Sequence, residues 1–148
     1  MTRVLASIAT ALALLFGATG CGEDSNDEFK DQYNEALRPL SSLGDEVVST
    51  LTEEGRSDLA LARQLEKLAG RAEETRKNLS ELEPPEEAAD RYDELLGALK
   101  QSVADLRAVG ESAREGDPVE AQEATQALVE SGEELQQAET AFRNAVDG

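Results

Sequence analysis

The chain has no histidine, no tryptophan and a single cysteine among its 148 residues. Without histidine it lacks the side chain that most often serves as general base and metal ligand near neutral pH. One cysteine cannot close an internal disulfide, so stability has to come from packing. Aromatic residues are equally sparse, three Phe and two Tyr. Basic residues are outnumbered, 14 against 32 acidic ones, for a net charge of −18. So acidic a surface repels nucleic acid and anionic lipid, which excludes a nucleic-acid partner. The long apolar run, Val4 to Phe16, has 13 residues, short of the ~20 that a bilayer-spanning helix needs. No segment alternates apolar and polar residues in the strand period, so no sheet is expected.

What is present begins at the N-terminus. Arg3, the apolar run and the small residues Gly17-Ala-Thr-Gly20 have the layout of an export signal, removed from the mature chain. The tail Ala18-Thr19-Gly20-Cys21 resembles the lipobox of bacterial lipoproteins, although Ala18 stands where that class usually carries Leu. The resemblance covers residues 1–21 only. It implies cleavage between Gly20 and Cys21, a diacylglyceryl group on the Cys21 sulfur, and attachment to the extracytoplasmic side of a membrane in the cell envelope. Two acyl chains anchor stably where one binds marginally.

The mature part carries 13 basic and 32 acidic side chains, a net charge of −19. Residues 21–27 are polar and acidic and read as a tether of at most roughly 25 Å. The alternation Asp24, Asn26, Glu28 has Phe29 where a calcium loop requires glycine, so no ion is expected there.

From residue 28 the sequence predicts an all-α domain in four helices, about 26–51, 57–82, 86–115 and 118–146. The first presents Phe29, Tyr33, Leu37, Leu40, Leu43, Val47 and Leu51 on one face, in phase across Pro39, which predicts a kinked helix. The second carries a heptad seam, Leu61, Leu65, Leu68, Ala72, Thr75, Leu79 and Leu82. Ser57 is placed to cap it, and Pro84-Pro85 ends it. The third uses Tyr92, Leu96, Leu99, Val103, Leu106, Gly110 and Ala113 and closes at Gly116. Asp117-Pro118-Val119-Glu120 has the residues of a capping box for the fourth, whose seam is Ala124, Leu128, Ser131, Leu135, Ala138, Phe142 and Ala145.

Short turns between helices of this length imply an antiparallel up-down-up-down four-helix bundle; a coiled-coil hairpin that dimerises is the weaker alternative. The C-terminus then returns beside the tether, and the turns at Glu53–Arg56 and Gly116–Pro118 point away from the membrane. Five glycines inside helical stretches (44, 70, 97, 110 and 132) imply either tight crossings or a flexible bundle.

Chemistry is harder to place. A di-iron bundle needs Glu-x-x-His pairs, and the seams carry no acid. No Gly-x-Ser-x-Gly nucleophile motif is present. The paired acids, such as Glu73-Glu74 and Glu133-Glu134, fall on outer faces. No enzyme, no metal and no cofactor beyond the covalent lipid on Cys21 are expected. Arg63, Lys67 and Arg71 recur every fourth residue and make one basic stripe. They either dock an anionic wall polymer or an acidic partner, or pair locally with Glu66, Glu73, Glu74 and the acidic neighbouring helices. Two readings result. One is a non-enzymatic protein-interaction or scaffold module with an envelope protein partner. The other is a bundle that binds a small ligand or cation in a pocket near Tyr33, Tyr92 and Phe142.

Overall fold

The structure is a computed structural model and describes residues 27–53 and 55–147. The expected signal peptide 1–20, Cys21 and the expected tether before Asp27, together with Glu54 and Gly148, therefore lie outside the described residues. Among the described residues every regular element is helical: α1 (Asp27–Leu37), α2 (Leu43–Thr52), α3 (Asp58–Ser80), α4 (Ala89–Glu115) and α5 (Pro118–Asp147), with 3-10 turns at Arg38–Leu40 and Glu86–Ala88.

The expected kinked helix over 26–51 is instead two helices, α1 and α2. Pro39 has no N–H to give, and its ring collides with the carbonyl of the preceding turn. The chain tightens into the 3-10 turn, where the Ser41 N–H and hydroxyl both donate to the Arg38 carbonyl at 3.2 and 2.7 Å. Leu37 and Val47 still face one core on either side of the break, which is why the apolar phase runs through it.

The other boundaries follow local chemistry. The Ser57 hydroxyl accepts from the Ala60 N–H at the start of α3. Gly116 adopts a left-handed conformation (φ +73°), and its N–H donates to the Ser112 carbonyl at 3.0 Å. One Asp117 carboxylate oxygen accepts from the Val119 and Glu120 N–H groups at 2.8 and 3.2 Å. The Glu120 carboxyl does not complete a capping box; it sits among Glu115, Asp117 and Glu123, which hold its proton affinity above the usual carboxylate range.

One core joins all five helices. α3 is its centre, in contact with α1, α2 and α4, while α5 packs chiefly along α4. A helix covered on two sides buries more than one heptad seam. Ala62 and Ala69 are accordingly as deeply buried as Leu65 and Leu68, while Leu61 is only half-buried. On α4, Leu95 and Val109 enter the core beside the expected residues, and Leu96 does not fully. Gly110 sits where α4 crosses α3: a Cβ there would lie 3.4 Å from the Ala62 carbonyl oxygen. Gly70 and Gly97 face open space, so close approach accounts for Gly110 and not for those two.

The placement of the ends matters for the site. Lys30 at the start of α1 pairs with Asp147 at the end of α5, at 2.8 Å. Arg114 near the end of α4 pairs with Glu66 in the first half of α3, at 3.0 Å. These pairs set the start of α1 beside the end of α5, and the end of α4 beside the first half of α3. No helix among the described residues is long and apolar enough to cross a membrane.

Candidate functional site

Two regions hold the side chains with chemical potential: the aromatic cluster near residues 27 and 147, and the first turns of α3 and α5. In the aromatic cluster Phe29 and Tyr33 from α1, Tyr92 from α4 and Phe142 from α5 converge. All six ring pairs are in contact, with centroids 5.0 to 6.3 Å apart. Three pairs are edge-to-face, one is stacked and two are tilted; edge-to-face and offset-stacked pairs are the favourable ones for aromatic rings. The rings are one another's packing partners, where the ligand reading expects a pocket.

The polar atoms around them differ in how they are satisfied. The Tyr92 hydroxyl donates to the Leu79 carbonyl at 2.7 Å, an oxygen at the end of α3 that also accepts from the Leu82 N–H at 3.0 Å. The Tyr33 hydroxyl is buried with no hydrogen-bond partner among the described residues. Burial raises the proton affinity of both phenols well above its ordinary value, and for Tyr33 the nearby Glu139 carboxylate adds to it.

Glu139 is a buried acid, 9% exposed. Its carboxylate accepts from the Arg143 Nε at 3.0 Å, one turn away. Burial raises its proton affinity, and the Arg143 contact only partly offsets that. The sign of the pH effect follows. The folded state holds this proton more tightly than the unfolded chain, so ionising Glu139 costs stability as pH rises through its raised pKa. Glu139→Gln removes the cost. We expect the variant to melt higher than the parent at pH 7, by of order 1 kcal/mol or roughly 4 °C. The two melting curves should converge as pH falls below the ordinary carboxylate range. Because both proteins share every other acid, their difference isolates this group. A variant that melts lower at pH 7 would mean that the Arg143 pair outweighs burial.

The structure divides the basic stripe. Arg71 turns to α2, where it donates to a Glu46 carboxylate oxygen at 2.5 Å and to the Pro39 carbonyl at 3.5 Å. It ties α3 to the broken first helix, and with the Ser42 hydroxyl it holds the Glu46 carboxyl below its usual range. Arg63 and Lys67 are exposed and form no ion pair among the described residues. Glu66 and Glu73, the acids nearest in sequence, are engaged by Arg114 and Arg76. The three residues therefore share a helix face but not an environment.

The first turns of α3 and α5 carry what the sequence reading did not single out. Leu59 and Val119 are the exposed large apolar residues of the described chain, at 48% and 64%. Each lies in the first turn of its helix, off the seam that the helix buries. That phase mismatch is the sequence signal for them.

Elsewhere the surface is shallow. Gly97 and Ala98 of α4 and Ala138 and Ala141 of α5 leave an open groove of about 590 Å³ along their outer contact. Among the described residues no group of three or more metal-ligating side chains converges. Comparison of the chain with protein-family models, with curated proteins and with solved structures found no match.

Proposed function

We propose that the protein is an exported lipoprotein whose helical domain is a non-enzymatic protein-interaction or scaffold module at the cell envelope. Residues 1–20 act as the signal peptide, cleavage falls between Gly20 and Cys21, and a diacylglyceryl group on Cys21 anchors the mature chain. Residues 28–148 form an antiparallel up-down-up-down four-helix bundle held on the extracytoplasmic side. The lipobox resemblance at Ala18–Cys21 supports the anchor. The pairs Lys30–Asp147 and Arg114–Glu66, one at each end, support the helix directions.

The observation that carries the interaction reading over the ligand reading is the mutual packing of Phe29, Tyr33, Tyr92 and Phe142. The aromatic side chains that would line a ligand pocket fill that space themselves. What the domain offers to other molecules is then its surface. The unpartnered Tyr33 hydroxyl is the observation in favour of the alternative, a bundle that binds a small ligand or cation.

Labelled palmitate, membrane sedimentation and a short amine-reactive cross-linker on intact cells test the proposal together. The wild-type chain should incorporate label, sediment with membranes and join covalently to another protein. Cys21→Ser should lose label and membrane association completely, since no other residue in the chain can form the thioether. A wild-type chain that takes up no label sinks the anchor. A labelled chain that never cross-links sinks the interaction module.

A further inference from the structure

The charges of the domain are sorted between its helices. Among the described residues every lysine or arginine without an ion pair, namely Arg63, Lys67, Lys77, Lys100 and Arg107, lies on α3 or α4. All five are exposed. α5 is the reverse. Glu123, Glu130, Glu133 and Glu134 are exposed on it without an ion pair among the described residues, and no Lys or Arg occurs between Arg114 and Arg143.

α4 packs on both α3 and α5 and stands between them. The Tyr92–Leu79 and Arg114–Glu66 contacts register it on α3. On the other side the Ser102 hydroxyl donates to the Ser131 carbonyl at 3.0 Å, and Gly97 and Gln101 share a groove with Glu134 and Ala138. Between these two contacts α4 leaves a strip uncovered. Gly97, Gln101, Ala104 and Ala108 are all exposed and recur at steps of four and three, so they share one face. Arg76, helped by Arg107, holds the Glu73 carboxyl below its usual range. Arg107 therefore edges the strip on the α3 side, with Lys100 two turns away on the same edge. The three helices together present a face that is cation-rich along α3, small along α4 and acidic along α5. Glu74, Asp93 and Glu111 also lie in the cation-rich half and moderate the contrast without reversing it.

We propose that this α3–α4–α5 face is the contact surface of a homodimer, with a second copy of the chain as its occupant. The proposal names the partner of the interaction module and rests on that reading. A copy turned about a two-fold axis parallel to the helices lays its α5 on this α3, its α3 on this α5, and α4 on α4. Each cation-rich half then meets an acidic half, and the two contacts are equivalent, as an isologous pair requires. By the registers above, Arg63 comes level with Glu123 of the second copy and Lys100 with its Glu134, to within about a turn. A two-fold axis across the helices would instead set like half on like half. The small side chains of α4 let the two helices approach closely. Both copies are strongly acidic, but at physiological ionic strength charges more than about 8 Å apart are largely screened. The pairs across the contact therefore outweigh repulsion between the far sides. The same axis keeps both Asp27 ends on one side, so two anchors at Cys21 enter one membrane, which confines the copies and raises their effective concentration.

Ala104→Cys, a single thiol beside the axis, tests this in the full-length, lipidated chain in cells treated with a mild oxidant or a short bis-maleimide. Ser49→Cys, exposed on α2, is the control, and the parent chain gives the background. The expected result is a covalent dimer from position 104 and none above background from position 49. Adding Arg63→Glu with Lys100→Glu should cut the dimer about tenfold, the scale on which like-charge contacts act. Glu123→Lys with Glu134→Lys should do the same, although it makes the chain less acidic and would favour association if overall repulsion decided the outcome. All four reversals in one chain exchange both halves and should restore the dimer. Helix content by circular dichroism checks that each variant is folded. Equal yield from positions 49 and 104, more dimer on reversing the acids, or no recovery in the fourfold variant overturns the face. No dimer from position 104, in a chain that still joins a different protein through the amine cross-linker, overturns the second copy and leaves the interaction module standing. No dimer and no amine cross-linking at all overturns both.

Discussion

Leu65→Asp abolishes the cooperative thermal transition of the domain: that is the largest effect we expect from a single substitution. Leu65 has no exposure to solvent and sits where α3 meets α4, its Cβ 3.5 Å from the position of a Cβ on Gly110. Aspartate there forfeits the burial of a leucine, about 2 to 3 kcal/mol. It also places a carboxylate in the apolar core to which Leu68, Val103 and Leu106 belong. An ion without a partner in such surroundings is several kcal/mol less favourable than in water. Domains of this size are stable by only about 5–15 kcal/mol, so the sum consumes most or all of the margin. Circular dichroism at 222 nm should show weak, non-cooperative melting. A sharp transition within a few degrees of the parent would mean that Leu65 is not in the core described here.

Phe142→Ala is the second. This ring is 1% exposed and touches Phe29, Tyr33 and Tyr92. Truncating a buried phenylalanine costs about 3–5 kcal/mol, because the cavity collapses only in part. A loss of that size lowers Tm by roughly 12–20 °C. The damage should also be local. α1 is 11 residues long and buries only Phe29, Tyr33 and Leu37, two of which lean on Phe142. Amide exchange in 27–37 should therefore accelerate more than in the α3–α4 pair. Equal acceleration throughout would show that α1 is not a separable unit.

Both effects concern residues whose role was visible before any coordinates. Leu65 and Phe142 fall on seams spaced by threes and fours, and that spacing reports which face of a helix is apolar. The helix ends were legible too, since Ser57, Gly116 and Asp117 act on backbone groups within a few residues of themselves. The interruption at Pro39 was legible as a position but not as a break. An apolar phase that survives a proline fits a kink and a 3-10 turn equally well.

Less was legible wherever the answer lay on another helix. Pairing of Arg63, Lys67 and Arg71 with neighbouring helices was one of two readings of the stripe, but which of them pairs, and with what, was not legible. Glu46, which claims Arg71, is 25 residues away. Ala62 and Ala69 lay outside the best heptad because one seam describes a helix with one neighbour, and α3 has more. Leu59 and Val119 were readable only as apolar residues out of phase.

By itself, then, the sequence determined the secondary structure class, the caps, most of the buried faces, and through Ala18–Cys21 the expectation of a lipid anchor. Each is written in residues a few positions apart, where backbone geometry and helix period alone relate them. The tertiary structure decided which charges are neutralised, which seam neighbours complete the core, that the aromatic rings pack on each other, and which apolar residues stay exposed. These are relations between segments tens of residues apart. Only the folded path sets such distances, because the helix period that orders residues within a segment carries no information about which segment lies beside it.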